Sequence, residues 1–145
     1  MSTGRICKRR VDLAEAGETA RVAAERMRQR GVGTLVVTDR EKRPVGILTD
    51  RDLALRVLAA GRDGGATLVR EMMTPDPKVA TEETPIEDAL ARMKSGAFRR
   101  LPVVDGAGRL VGIVTLDDVL VLLSEEFAAI GTLLGREDPS HLGEE

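Results

Sequence analysis

The feature that most constrains this chain is an internal repeat. Slid against itself by 66 residues, the sequence matches without a gap from Leu13 to Leu58. Thirteen of the 46 aligned positions are identical, among them Ala14/Ala80, Arg26/Arg92, Met27/Met93, Asp39/Asp105, Gly46/Gly112, Thr49/Thr115 and Asp52/Asp118. One constant offset held over that length makes the chain two copies of one supersecondary unit.

Each copy reads as strand, helix, strand, strand, helix. In the second, Val79-Ala80-Thr81 is a short strand, followed by a helix with Thr84 as N-cap, Pro85 at its first position and Glu87 completing a capping box. Ile86, Ala89, Leu90 and Met93 then fall at i, i+3, i+4, i+7, one apolar stripe. Ala20, Ala23, Ala24 and Met27 are their counterparts in the first copy. Leu101 to Val104 and Leu110 to Val114 read as two strands joined by the turn Asp105-Gly106-Ala107-Gly108. The closing helix follows Thr115, with Leu116, Val119, Leu120 and Leu123 expected on one face. The predicted class is α+β. A unit this short buries little of its sheet alone, so the two copies are expected to pack as a pseudo-twofold pair.

The boundaries drawn from this are 1–65 for the first motif with its N-terminal segment and linker, 66–130 for the second, and 131–145 for a polar tail. The linker Gly61-Arg62-Asp63-Gly64-Gly65 reads as a flexible connection, since it lacks the Gly-Lys-Ser/Thr ending of a phosphate loop. Met72-Met73 beyond it reads as core filling.

Composition narrows the function classes. His141 is the sole histidine and lies in the polar tail, and Cys7 is the sole cysteine, so neither a metal centre nor a histidine base is expected. No serine or cysteine has an evident activating partner, and a catalytic role is not expected. Formal net charge is −2, and Phe98 and Phe127 are the only aromatics, which argues against a nucleic-acid partner. No apolar run approaches the roughly 18 residues of a membrane span, and no secretory h-region follows Lys8, Arg9 and Arg10. The expectation is a cytoplasmic protein without a membrane partner.

Two segments carry a more specific signal: Gly46-Ile47-Leu48-Thr49-Asp50-Arg51-Asp52 and Gly112-Ile113-Val114-Thr115-Leu116-Asp117-Asp118. Each resembles the signature of CBS motifs, in which a glycine, two apolar residues, Thr or Ser, two variable residues and Asp mark a strand-to-helix junction. Met73-Thr74 and Leu101-Pro102-Val103-Val104-Asp105 fit the same pattern, and the resemblance covers roughly residues 6 to 126. The chain is thus similar to a tandem CBS pair, a Bateman module of the stand-alone bacterial type. The resemblance implies clefts between the motifs that bind AMP, ADP or ATP, with S-adenosylmethionine ranked behind them, and no prosthetic group. It assigns ribose hydroxyls to Asp52 and Asp118, and ribose or phosphate to Thr49 and Thr115.

The residue chemistry supports that assignment. A carboxylate accepts charge-assisted hydrogen bonds from both members of a vicinal diol, and a helix N-terminus attracts phosphate. Gly46 and Gly112 would let a flat base approach the strand backbone, with Ile47 and Ile113 as apolar walls. The plainer alternative is that Thr-x-x-Asp is a capping box, and one carboxylate can serve both ends. Arg99 and Arg100 resemble the basic pair before this strand in the gamma regulatory subunit of AMP-activated protein kinase. They are candidate phosphate clamps, or else a solvated surface pair. The first copy has Val32-Gly33-Thr34-Leu35 there, without charge.

Two readings follow. One is a nucleotide-binding regulatory module, expected to be a homodimer and to signal to an unidentified protein in trans. The other is an assembly module with empty clefts.

Overall fold

Residues repeated at the 66-residue offset secure the same local features twice, and the fold grows from them. The computed structural model describes residues 1–96 and 98–136. The first copy forms β1 (Leu13–Glu15), α1 (Ala20–Arg30), β2 (Thr34–Thr38), β3 (Pro44–Thr49) and α2 (Asp50–Asp52). The helix α2 continues as a π-helix over Leu53–Leu58. Helix α3 (Val69–Met72) and strand β4 (Thr74–Pro75) lead into the second copy, formed by β5 (Ala80–Thr81), α4 (Ile86–Gly96), β6 (Arg100–Val104), β7 (Leu110–Thr115) and α5 (Leu116–Arg136). The expected element order holds in both copies.

In each copy a helix crosses over between two parallel strands, and a hairpin adds a third. Ala14 pairs with Val37 and Thr34 with Thr49; Ala80 pairs with Val103 and Arg100 with Thr115. The hairpin turns are built by the repeated aspartates. Asp39 Oδ1 accepts from the N–H groups of Glu41 and Arg43 at 2.9 Å each, and Asp105 Oδ1 from Ala107 and Arg109 at 2.9 and 3.0 Å. The repeated arginines tie helix to strand: Arg26 donates to Leu13 O and Arg92 to Val79 O, both at 2.8 Å. In the first copy Arg26 also forks onto Glu18, which holds that carboxyl below the usual carboxylate range.

The two copies are completed by exchange. Residues 1–8 precede the first motif yet lie on the second: Thr3 N and its hydroxyl donate to Thr84 O, Gly4 N to Glu82 O, Ile86 N to Met1 O, and Lys8 bridges β7 at Ile113. The segment before the second motif does the same for the first. Val69 N donates to Glu18 O, Arg70 N to Ala16 O, Ala20 N to Thr67 O, and β4 pairs with β3 at Ile47 and Gly46. The buried cores reflect this, with Val69 and Met72 (each 0% exposed) in the first cluster and Ile6 and Cys7 packed against the second.

Four expectations need correction. The Thr84 hydroxyl accepts from Thr81 N at 2.9 Å instead of capping with Glu87, and α4 starts one residue later than expected, at Ile86. The linker is hydrogen-bonded, with Gly64 O accepting from Arg21 N in the first turn of α1. On α5 the buried residues are Val119 and Leu122, while Leu120 and Leu123 are exposed, because one helix face already covers the sheet. That helix also runs through Arg136, past the expected motif end at 130; the rest of the expected tail, with His141, lies outside the described residues.

The exchange explains the repeated glycines. A Cβ on Gly112 would stand 2.8 Å from Lys8 O, and one on Gly46 would stand 2.9 Å from Met73 Cγ. They admit the crossing segment, not a ligand's base as expected from sequence. Overpacking costs about 1–3 kcal/mol. Gly112→Ala meets backbone and should fall at the upper end of that range; Gly46→Ala meets a flexible methionine and should fall at the lower end. Urea unfolding of the two variants measures the difference, and equal losses would contradict it.

Candidate functional site

At the end of β3 and of β7, a threonine and an aspartate three residues apart close a capping box. Asp52 Oδ2 accepts from Thr49 N at 2.9 Å and Thr49 Oγ1 from Asp52 N at 3.2 Å. Asp118 Oδ2 accepts from Thr115 N at 2.9 Å and Thr115 Oγ1 from Asp118 N at 3.1 Å. The capping reading of Thr-x-x-Asp is therefore realised in both motifs. Each box occupies one carboxylate oxygen and leaves Oδ1 to other partners.

Those partners differ. Asp118 Oδ1 faces Lys8 Nζ at 3.4 Å, across from the N-terminal segment, with the lysine 69% exposed. Asp52 Oδ1 faces Arg56 Nε at 3.7 Å on its own helix. Arg56 is itself anchored, donating to Met72 O at 2.8 Å and Met73 O at 3.3 Å. Asp52 is thus held by an anchored cation and Asp118 by a solvated one.

A cleft of about 300 Å³ opens between the motifs. Arg100, Ile113 and Thr115 line it from the second motif, and Val32, Gly33, Thr34 and Val36 from the first. Lys8, Arg10, Val11 and Asp12 of the N-terminal segment complete it. Thr34 and Arg100 are equivalent positions at the heads of β2 and β6, and both line this one cleft. Thr34 Oγ1 is buried without a hydrogen-bond partner in the protein. Asp12 is paired with Arg30 at 3.0 Å and Lys8 with Asp118 at 3.4 Å, which leaves Arg10 and Arg100 to set a positive character for the cleft.

Not every residue singled out from the sequence lines this cleft: of the two Thr-x-x-Asp pairs only Thr115 does, and Asp118 is tied to it through Lys8. Ile113 lines the cleft, but its counterpart Ile47 is 2% exposed, packed in β3 between Val36 and Thr74. Arg99 and Arg100 do not act together. Arg99 lines a separate depression with Phe98, Lys94 and Leu116, because it lies in the bend before β6 and only Arg100 belongs to the strand. Sequence reasoning missed Lys8, Arg10, Asp12 and Thr34. The first three lie upstream of the aligned repeat, and only the exchanged segment brings them to the cleft. Among the described residues no three His, Cys, Asp or Glu side chains are grouped to hold a metal ion, and no helix is long and apolar enough to cross a membrane.

Comparison with known proteins gives this geometry its context. An uncharacterised protein of Methanopyrus kandleri is 34% identical over 120 residues, 83% of this chain and 61% of its own length. The chain thus spans about three fifths of that relative. A CBS domain-containing protein of Bacillus subtilis, YhcV, is 40% identical over 111 residues, 77% of each chain. Among solved structures, CBSX2 in complex with AMP superposes with a TM-score of 0.74 at 27% identity, covering 86% of this chain and 97% of that one. The CBS domain pair of protein MJ0100, in complex with 5-methylthioadenosine and S-adenosyl-L-methionine, gives 0.76 at 26% identity, covering 87% and 98%. Hypoxic Response Protein I, with two coordinated zinc ions, gives 0.75 at 32% identity, covering 83% and 97%.

The sequence profile of the CBS domain matches the chain twice, at residues 4–59 and 69–125, each span holding one strand–helix–strand–strand–helix unit together with the segment it lends to its neighbour; the chain belongs to the CBS-domain family, as a tandem pair.

Proposed function

We propose that this CBS pair is a regulatory module that binds a phosphorylated adenosine in the cleft between its motifs and signals occupancy to a partner protein in trans. The observation that carries the reading is the cleft itself, lined by Lys8, Arg10, Arg100 and Thr115 together with Thr34, whose buried hydroxyl has no partner in the protein. A buried hydroxyl without a partner costs about 1–3 kcal/mol, which a ligand's oxygen or nitrogen would recover. The AMP complex of CBSX2 and the S-adenosyl-L-methionine complex of MJ0100 support adenosine as the ligand's core. Three cations on the wall favour AMP, ADP or ATP over a sulfonium.

In this reading Asp118 Oδ1 takes the ribose hydroxyls while Oδ2 keeps its cap on Thr115 N. Lys8 must first move away. An exposed ion pair of this kind is worth about 0–1 kcal/mol, whereas each hydrogen bond to a carboxylate is worth about 1.5–3, so the exchange favours ligand. The displaced lysine turns to the phosphate beside Arg10 and Arg100, Thr115 donates to ribose or phosphate, and Ile113 backs the base. Thr49 and Asp52 serve a second, pseudo-symmetric site in this reading. That site forms at greater cost, because Arg56 holds Asp52 and two backbone carbonyls together. The Asp118 cleft therefore fills first. The module has no catalytic role in this reading.

The assembly reading is favoured by a separate observation. Leu120, Leu123, Phe127 and Ile130 on α5 are 46–70% exposed, a continuous apolar stripe. It is compatible with ligand binding, and we propose that the module is a homodimer as well.

A thermal-shift panel of AMP, ADP, ATP and S-adenosylmethionine tests the ligand. At about 100 times its dissociation constant a ligand adds roughly 2.7 kcal/mol, several degrees for a domain of this size. No shift with any of the four, on protein shown to be ligand-free, would sink the proposal.

Calorimetric titration tests the site. Asp118→Ala should lose about 1 kcal/mol of stability with its cap, yet weaken AMP by about 3 kcal/mol, over a hundredfold. Asp52→Ala should leave the tighter binding event unchanged. Arg100→Ala should weaken AMP far more than adenosine, which carries no charge for the guanidinium to hold. AMP affinity unchanged in Asp118→Ala would leave the capping box as that residue's whole role.

A further inference from the structure

Phe98 and Arg99 stand beside Arg100 in the sequence, yet the cleft between the motifs takes only Arg100. The other two line a depression of about 320 Å³ that belongs wholly to the second motif. Leu90, Met93 and Lys94 reach it from α4, and Leu116 from the first position of α5. Its floor is apolar: Met93 is buried, and Leu90, Phe98 and Leu116 are half-buried. Lys94 and Arg99 are exposed and carry its charge. Among the described residues no carboxylate lines the depression, and neither cation forms an ion pair. Glu87, Asp88 and Asp117, acids of the same two helices, take no part in its lining.

The first motif keeps the same frame without the same lining. At the 66-residue offset the equivalent positions are Ala24, Met27, Arg28, Val32, Gly33 and Asp50. The backbone link is shared: Asp50 N donates to Gly33 O at 2.9 Å, and Leu116 N to Arg99 O at 2.8 Å. Asp50 lies so close to Gly33 that a Cβ there would stand 2.9 Å from its Oδ2. Arg28 and Asp50 sum to no net charge, whereas Lys94 and Arg99 sum to two positive charges. Ala24 and Val32 give way to the larger Leu90 and Phe98. With the backbone link identical in both copies, the fold does not demand these changes.

We infer that this depression binds a monocarboxylate with an apolar body. The body lies on Leu90, Met93, Phe98 and Leu116, and Lys94 and Arg99 hold the carboxylate. The inference goes beyond nucleotide binding and does not depend on it. Ligand sites are clefts of roughly 300–1,000 Å³ with mostly apolar walls and a few polar groups that fix orientation. The depression meets that description at its lower bound, which suits a small ligand. Two cations without a lining acid select an anion, and a guanidinium takes a carboxylate through two parallel hydrogen bonds. Inorganic phosphate would leave the floor uncovered, and a neutral hydrocarbon would leave the cations unanswered.

Calorimetric titration of nucleotide-free protein with hexanoate, octanoate and octanol tests it. Each methylene buried on the floor should raise affinity about fourfold, so octanoate should bind roughly fifteenfold tighter than hexanoate. Octanol, which lacks the charge, should bind at least about tenfold more weakly than octanoate. Arg99→Gln and Lys94→Gln change exposed side chains. Each should weaken octanoate by about tenfold or more, with thermal unfolding as in wild type. Leu116→Asp places a carboxylate where the first motif has Asp50 and should abolish octanoate binding. Should that variant fail to fold, the two exposed variants decide alone. The inference is overturned by octanoate that does not bind, or that binds no tighter than octanol. It is equally overturned by Arg99→Gln and Lys94→Gln proteins that bind octanoate like wild type. None of these outcomes touches the AMP titrations, which read the cleft through Asp118 and Arg100.

Discussion

The fold depends on an exchange of hydrogen bonds at the start of two helices. The first N–H groups of α1 and α4 have no partners within their own helices. Ala20 N finds Thr67 O and Ile86 N finds Met1 O, each on a segment that precedes the other motif. The same segments supply the outer strand or bridge beside β3 and β7, and the buried Val69, Met72 and Thr3. Neither motif can satisfy its backbone or close its core without chain that belongs to its neighbour. Pairing is thus a condition of folding for each half, and the interface between them comes with a cleft already built in.

That cleft lies where the exchange ends. Residues 1–8 cap α4, bridge β7 and finish at Lys8, whose ammonium meets Asp118. The N-terminal segment is therefore part of the second motif's frame and part of the proposed ligand's wall. A ligand that draws Lys8 away from Asp118 changes the environment of a segment whose carbonyls and amides hold the second motif together. Such a link between occupancy and the outer parts of the molecule needs no separate relay, because a single stretch of backbone reaches both.

Much of the fold was legible in the sequence because its determinants are local and duplicated. The hairpin turns follow from Asp39 and Asp105, and the strand-to-helix junctions from Thr49/Asp52 and Thr115/Asp118. Long-range facts were not legible. Gly46 and Gly112 look like openings for a ligand until the crossing segments are seen to fill them. Lys8, Arg10 and Asp12 stand outside the aligned repeat, and Thr34 is an unremarkable strand residue until the packing of the two copies places it on the cleft. Arg99 and Arg100 look like a pair in sequence, but β6 begins at Arg100 and the bend before it leaves Arg99 on a different surface. Burial and pairing across the motifs are set by topology, which a pattern along one strand does not encode.

Duplication followed by divergence leaves the two halves with the same frame and different surfaces. At position 56 an arginine ties down Asp52, while its counterpart Leu122 is buried in the second motif and leaves Asp118 to a solvated lysine. Ala20 and Ala24 leave a groove where Ile86 and Leu90 fill one. Both differences act in one direction. The first motif has a fixed carboxylate and a vacant outer face; the second has an available carboxylate and a long helix projecting its apolar side. A symmetric pair would offer equal clefts and equal faces, so binding and assembly would have no preferred end. Here the exchange at Ala20 and Ile86 is made by backbone N–H groups, which any side chain at those positions preserves, and so the two helical faces are free to specialise.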